Sequence, residues 1–270
     1  MWYQGFGQMP EVVRNCFQSW KKLNKDWDLT FLHADNLKVY FDEKKILNGT
    51  LSNYPKQMAS DVIRINLLKE YGGVWVDATC YCNRPLNDWI FDYTPSGFFC
   101  FSNPGPDRMI SSWFMAANPN NKLVEIYAAK VNNFWRRNKN LKLNSRVESQ
   151  IHKMGLGITF VKVPELWFTF PFRKWLKVYP YFWFHYMFRV LFLTNTGFRK
   201  QWRSSPKIKA DGAHSLQKYG LNKPISPQLK EEILDRRVPV YKLDWRISLT
   251  ENDNSNTVYG FLTSNQAEKI

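Results

Sequence analysis

The stretch from Pro55 to Thr79 constrains this chain more than any other. Met58, Val62, Ile65 and Leu68 recur at three- and four-residue spacing, which predicts a helix opened by Pro55. Gly72-Gly73 stops it, since glycine adopts the left-handed backbone that reverses a chain at a helix end at no steric cost. Val74-Trp75-Val76 follows at once as a buried strand, and Asp77 is the first charge after it. A helix that passes through a tight stop into a buried strand is a unit of layered α/β proteins, where ligands sit at the carboxyl ends of strands. Asp77 is therefore expected at such an end. Asp61 and Arg64 lie three apart, on neighbouring positions of one helix face.

Alternation continues around this block. Residues 2–6 and 28–33 read as short strands. A helix from Pro10 carries Val12, Val13, Cys16, Phe17 and Trp20 on one stripe. Residues 36–47 read as helix, 97–101 as strand, 110–117 and 122–138 as helices, and 238–243 as a late strand. The expected fold class is α/β: a largely parallel sheet flanked by helices, followed by a basic, aromatic-rich helical C-terminal region. The expected division falls between 1–165, the catalytic core, and 166–270, which completes its surface.

Composition excludes several classes. In 270 residues, 44% hydrophobic content is enough for a core and excludes a disordered chain. Four cysteines exclude a disulfide-stapled scaffold and fit a reducing compartment. Cys80 and Cys82 are one residue apart, closer than the usual zinc pair. No secretory leader is visible at Met1, and no uncharged apolar run reaches the ~18 residues that would mark a membrane-spanning helix. The net charge of +15 is unevenly spread, with +9 carried by residues 161–220. That excess points to an anionic partner: nucleic acid, phospholipid or a phosphorylated substrate.

The block Ser60-Asp61-Val62-Ile63-Arg64, then Tyr71-Gly72-Gly73-Val74-Trp75-Val76-Asp77-Ala78-Thr79, resembles sugar transferases with a DXD motif, above all the bacterial capsular polysaccharide synthesis proteins. Trp2-Tyr3-Gln4-Gly5, Met9–Val13, Tyr181–Phe188, Ala213–Gln217 and Pro239–Leu243 extend the similarity over most of the chain. The resemblance implies a GT-A-like, Rossmann-type mixed sheet. It also implies sugar transfer from a nucleoside-diphosphate sugar, UDP-linked, in a retaining reaction, to a growing surface polysaccharide on a lipid-linked or polysaccharide acceptor. By the same carry-over Trp2 and Gln4 lie near the base and ribose, and Asp61 and Arg64 brace the nucleotide site. Asp77 touches ribose, donor sugar or a Mn²⁺ or Mg²⁺ ion on the diphosphate, beside Thr79. His214 is the further candidate for that ion or the pyrophosphate, with Asp211 three residues away. Thr79 stands where the motif has its second carboxylate, and a neutral hydroxyl is a weaker ligand for a hard cation. Either other groups complete the site, or Arg and Lys side chains neutralise the diphosphate. Lys242 is within reach of such a role, although a strand-end lysine is more often solvated.

Residues 165–202 hold 15 of the 45 aromatics beside several basic residues and a single acid, Glu165. The run 181–193 is too short to span a bilayer. It reads as buried helix, as an interfacial segment or as a stacking platform for single strands. Peripheral attachment to the anionic inner face of a bacterial membrane is expected, through Arg173, Lys174 and Lys177 with Trp167, Phe168 or Trp175 exposed beside them. No nucleic-acid-binding motif is present, and nucleic acid is not an expected partner. A nucleic-acid- or anionic-glycan-binding protein and an inactive transferase relative remain as alternatives.

Overall fold

A computed structural model of the chain describes residues 1–47, 51, 54–138, 141–143, 150–151, 153–154, 157–246 and 256–268. In chain order the described helices are α1 (Glu11–Leu23), α2 (Ala34–Tyr40), α3 (Glu43–Leu47), α4 (Lys56–Tyr71), α5 (Lys122–Arg137), α6 (Gly157–Lys162), α7 (Trp183–Thr194), α8 (Thr196–Arg203), α9 (Ala210–Ala213), α10 (Ser215–Tyr219), α11 (Pro227–Leu234) and α12 (Val258–Glu268). The strands are β1 (Gly73–Val76), β2 (Cys80–Cys82), β3 (Phe98–Gly105), β4 (Arg108–Ala117), β5 (Lys142–Leu143), β6 (Val178–Tyr179) and β7 (Val240–Lys242). They form two compact units: Met1–Leu37 with Val76–Asp92 and Lys209–Ile270, and Lys38–Trp75 with Tyr93–Ile208. Each unit draws on both sides of position 165, where composition placed its division.

In the second unit, α4 ends as its sequence dictates. Gly72 has φ +68°, and its N–H bonds the Leu68 carbonyl at 3.0 Å. A Cβ there would stand 2.7 Å from the Pro119 nitrogen, so both backbone and space require glycine. Gly73, also at positive φ, turns the chain into β1. Strand order is β1-β4-β3, with β3 and β4 an antiparallel hairpin in which Phe98 faces Ala117. Residues 110–117, expected as helix, are strand. Each of the eight is buried, so neither alternation nor a helical stripe shows in the sequence. Helix α7 lies on β4, and α5 packs against α4. Their shared core is aromatic: the Tyr127 ring lies 4.6 Å from Phe184 and 5.4 Å from Phe188, and its hydroxyl donates to the Phe184 carbonyl at 2.6 Å.

In the first unit, α1 packs on β2, which pairs antiparallel with β7 so that Cys80 faces Lys242 and Cys82 faces Val240. Val12, Cys16, Tyr81, Leu216, Ile233, Tyr241 and Tyr259 share one buried core. The Trp20 indole donates to the Cys80 carbonyl at 2.8 Å, fixing the helix to the strand. Residues 2–6 and 28–33 are not strands as expected. The first leads into a 3₁₀ turn over Phe6–Gln8 and the second is irregular. Two main-chain bonds still tie them: Trp2 N–H to Leu32 at 2.9 Å and Ala34 N–H to Tyr3 at 3.1 Å. The expected helix over 36–47 is two short helices, α2 and α3. The fold is mixed α/β with small sheets, in which β2–β7 and β3–β4 pair antiparallel and the two-residue pair β5–β6 is parallel. Helix–strand alternation, the ground for expecting a largely parallel sheet, does not by itself fix strand direction.

Candidate active site

Asp77 stands where β1 ends, half-buried, as the sequence block predicts. Its carbonyl accepts the Cys80 N–H at 3.0 Å, so residues 77–80 form a turn that starts β2 at once. Thr79 sits inside this turn and is buried. Its carbonyl accepts the Leu243 N–H at 2.8 Å, which locks the turn to the end of β7. The same register brings Lys242 to Thr79, 163 residues away in sequence, where the lysine ammonium donates to the threonine hydroxyl. Lys242 is half-buried, not the solvated strand-end lysine its position suggested.

The buried Cys80 thiol senses both charges. Burial pushes its pKa up to about 12, while Lys242 pulls it down and Asp77 pushes it up. Asp77 thus opens one short turn, and the Lys242 ammonium holds the Thr79 hydroxyl inside it. The thiol stays neutral at ordinary pH and is no metal ligand as it stands. Cys82, likewise pushed up to about 12 by burial, is inert for the same reason.

Trp2 belongs to the same neighbourhood. The Met1 nitrogen lies 3.5 Å from the Val76 carbonyl, which sets Trp2 beside the end of β1. Its ring meets the edge of Trp245 at 5.6 Å, and the indole N–H reaches the Gln8 carbonyl at 3.3 Å. Trp245 is exposed and carries the Arg246 guanidinium over its face at 5.0 Å. Gln4 is exposed. Trp245 and Arg246 were not singled out from the sequence. Only their place three and four residues past Lys242 marks them.

His214 links α9 to α10, and both helices pack against β7, the strand that carries Lys242. Its Nδ1 lies 3.0 Å from Gln217 Oε1. Asp211 is exposed and pairs with Lys218 at 3.0 Å. Among the described residues no three His, Cys, Asp or Glu side chains gather as a metal-binding group.

Asp61 and Arg64 belong to the second unit, where they form a buried ion pair on α4. The guanidinium also reaches the Ser60 hydroxyl at 3.2 Å and lies over the rings of Trp75 and Phe184 at 5.3 and 5.8 Å. Burial raises the pKa of the Tyr127 and Tyr179 phenols, and the Asp61 charge adds to both shifts. The pair is set in an aromatic core, and it braces Trp75 two residues before Asp77.

The O-glycosyltransferase braB of Annulohypoxylon truncatum is similar to this chain, 26% identical over 153 residues. That alignment takes in 50% of this chain and 36% of the relative, so the chain spans little more than a third of that relative's length. No solved structure matches. A family model described as capsular polysaccharide synthesis protein matches residues 1–143 and 160–262, and the block around Asp77 lies wholly within the first stretch. With nearly the whole chain matched, this protein belongs to the capsular polysaccharide synthesis protein family.

Proposed function

We propose that the chain is a glycosyltransferase that moves a sugar from a nucleoside-diphosphate donor to a glycan acceptor. The observation that carries this reading is the turn at residues 77–80, with Asp77 on one side and the Lys242 ammonium on Thr79. Family membership and the transferase name of a similar protein support it. In such a reaction the bond between the sugar's anomeric carbon and the β-phosphate oxygen breaks. A bond from an acceptor hydroxyl to that carbon forms, and the acceptor proton passes to the departing diphosphate. In a retaining transfer this happens on one face of the sugar. The diphosphate gains negative charge as it leaves, and a fixed cation there lowers the barrier.

We assign that cation to Lys242, whose ammonium holds the Thr79 hydroxyl. A paired-carboxylate motif would hold Mn²⁺ or Mg²⁺ through two acids. Here the second position is Thr79, and its hydroxyl already accepts from an ammonium. Asp77 by itself supplies one carboxylate, so a hard dication there would need the donor's phosphates and water to complete its oxygen ligands. With no second acid in the turn, we assign the diphosphate's counter-charge to the Lys242 ammonium. Asp77 is then left to accept from donor hydroxyls, and Trp2 with Trp245 offers aromatic surface for the base.

Three measurements test this. Thermal melting with a panel of nucleotide sugars should show one donor that stabilises the folded chain. At 100 times its Kd the gain is about 2.7 kcal/mol. No stabilisation by any nucleotide sugar, with no turnover, would reject transferase activity in favour of an inactive relative or a glycan-binding protein. Lys242→Met should lower kcat by about a hundredfold, the cost of removing one preorganised charge-stabilising group. Excess EDTA should leave the wild-type rate within about twofold, a barrier change under 0.5 kcal/mol. Loss of activity in EDTA, restored by Mn²⁺, would move the leaving-group charge from Lys242 to a cation on Asp77.

A further inference from the structure

Residues 157–179 of the second unit fold over a small core of their own. Trp167 meets Phe160 and Phe172 at 5.0 Å each, and Phe160 meets Phe172 at 5.5 Å. Trp167 is buried there with Ile151, Val178 and Tyr186, and Phe168 is half-buried against the same cluster. The expectation that either leads a membrane contact is corrected by this packing. Over Pro171–Leu176 the chain makes one π-helical turn, which sends Phe172 inward and leaves its neighbours outside. Phe170 is 56% exposed, Trp175 75% and Leu176 52%, and the rings of Phe170 and Trp175 touch at 5.7 Å. Three large apolar side chains thus share one water-facing turn, where burial of their surface would be favourable.

The described charged side chains of this turn and of β5 beside it are basic. Lys174 and Lys177 are exposed within it and at its end. The Lys177 carbonyl accepts the Lys142 N–H at 2.9 Å, which brings exposed Lys142 and Leu143 alongside. Glu165 is the one acid between 149 and 210, and it is bound by Arg189. Arg173 is half-buried and faces solvent less than the lysines. No described helix is long and apolar enough to cross a membrane.

We propose that this turn docks the protein on an anionic lipid surface, with Phe170, Trp175 and Leu176 entering the headgroup region and Lys142, Lys174 and Lys177 meeting lipid phosphates. Indole favours the boundary between water and hydrocarbon, and lysine reaches outward along its stem. Polybasic segments beside inserted apolar groups hold proteins to anionic leaflets in this way. A second copy of the chain fits worse, because it would oppose the same positive charge. A soluble polyanion would satisfy the lysines but would leave the apolar turn in water.

Sedimentation with vesicles of phosphatidylcholine, with and without phosphatidylglycerol, tests the proposal on the full chain. The protein should pellet with the anionic vesicles at low salt and be released in part at high salt. Lys142→Glu/Lys174→Glu/Lys177→Glu should weaken this partition by about tenfold or more. Trp175→Ser/Leu176→Ser should abolish the salt-resistant part. The melting temperature of both variants should stay with the wild type, since the changed side chains are exposed. A wild type that never pellets, or variants that pellet as it does, would overturn the proposal. So would loss of vesicle binding together with Trp175-dependent binding of RNA or dextran sulfate, which would assign the turn to a soluble polyanion.

Discussion

Asp77→Asn is expected to lower kcat by at least about a hundredfold, about 2.7 kcal/mol of transition-state stabilisation, while the chain melts as the wild type does. The turn at residues 77–80 is closed by the Asp77 carbonyl, a main-chain group that the substitution leaves in place. Asparagine has nearly the same shape and removes one negative charge, so any loss reports that charge. The neighbouring ammonium makes the substitution more telling. With Lys242 held on Thr79 and no carboxylate at 77, the turn carries net positive charge beside the Cys80 thiol. Donor binding through the diphosphate should then survive, and the defect should appear in kcat more than in KM. Activity within about threefold of wild type, less than 1 kcal/mol, would remove Asp77 from the reaction and with it the proposed site.

Local grammar made half of this site legible. Glycine at 72 is demanded by a positive φ and by Pro119, and the strand it releases ends at a charge, so the helix, stop, strand and Asp77 could all be read in order. The run 183–191 allows a buried helix among three readings, and its helix does bury Trp183, Phe184, Tyr186, Met187, Phe188 and Leu191. What brings Lys242 to Thr79 is a strand register across 163 residues, and no local pattern encodes it. The hairpin of β3 and β4 failed for a different reason. Every residue from Ile110 to Ala117 is buried, Ser111 and Ser112 included, and a short buried run without alternation reads equally as strand or helix until its partner is known. Near Trp167 the aromatic and basic composition is plain in the sequence, but which rings face water is not. Exposure there is decided by one π-helical turn, which buries Phe172 and turns Trp175 out.

Breaking the Asp61–Arg64 pair should cost more stability than any other single change considered. Asp61→Ala leaves a guanidinium inside an aromatic core, with Ser60, Trp75 and Phe184 around it. Removing one partner of a buried ion pair destabilises by about 3–5 kcal/mol, because the remaining charge keeps its desolvation cost without its counter-charge. For a chain of this size that corresponds to a fall of roughly 5–9 °C in Tm. Arg64→Ala should act similarly, with the added loss of contact to the Trp75 and Phe184 rings. The double change Asp61→Leu/Arg64→Met should recover most of the loss, since apolar residues of similar volume replace a buried pair at little or no cost. Urea midpoints of the three variants measure this directly. The rescue separates bracing from donor recognition. If the double variant is stable and is still stabilised by the donor nucleotide sugar, the pair holds Trp75 and the end of β1 in place. If it is stable but blind to the donor, Asp61 and Arg64 contact the nucleotide themselves, and the bracing assignment fails. Asp61→Ala with a urea midpoint equal to wild type would show that the pair adds nothing to the core that surrounds it.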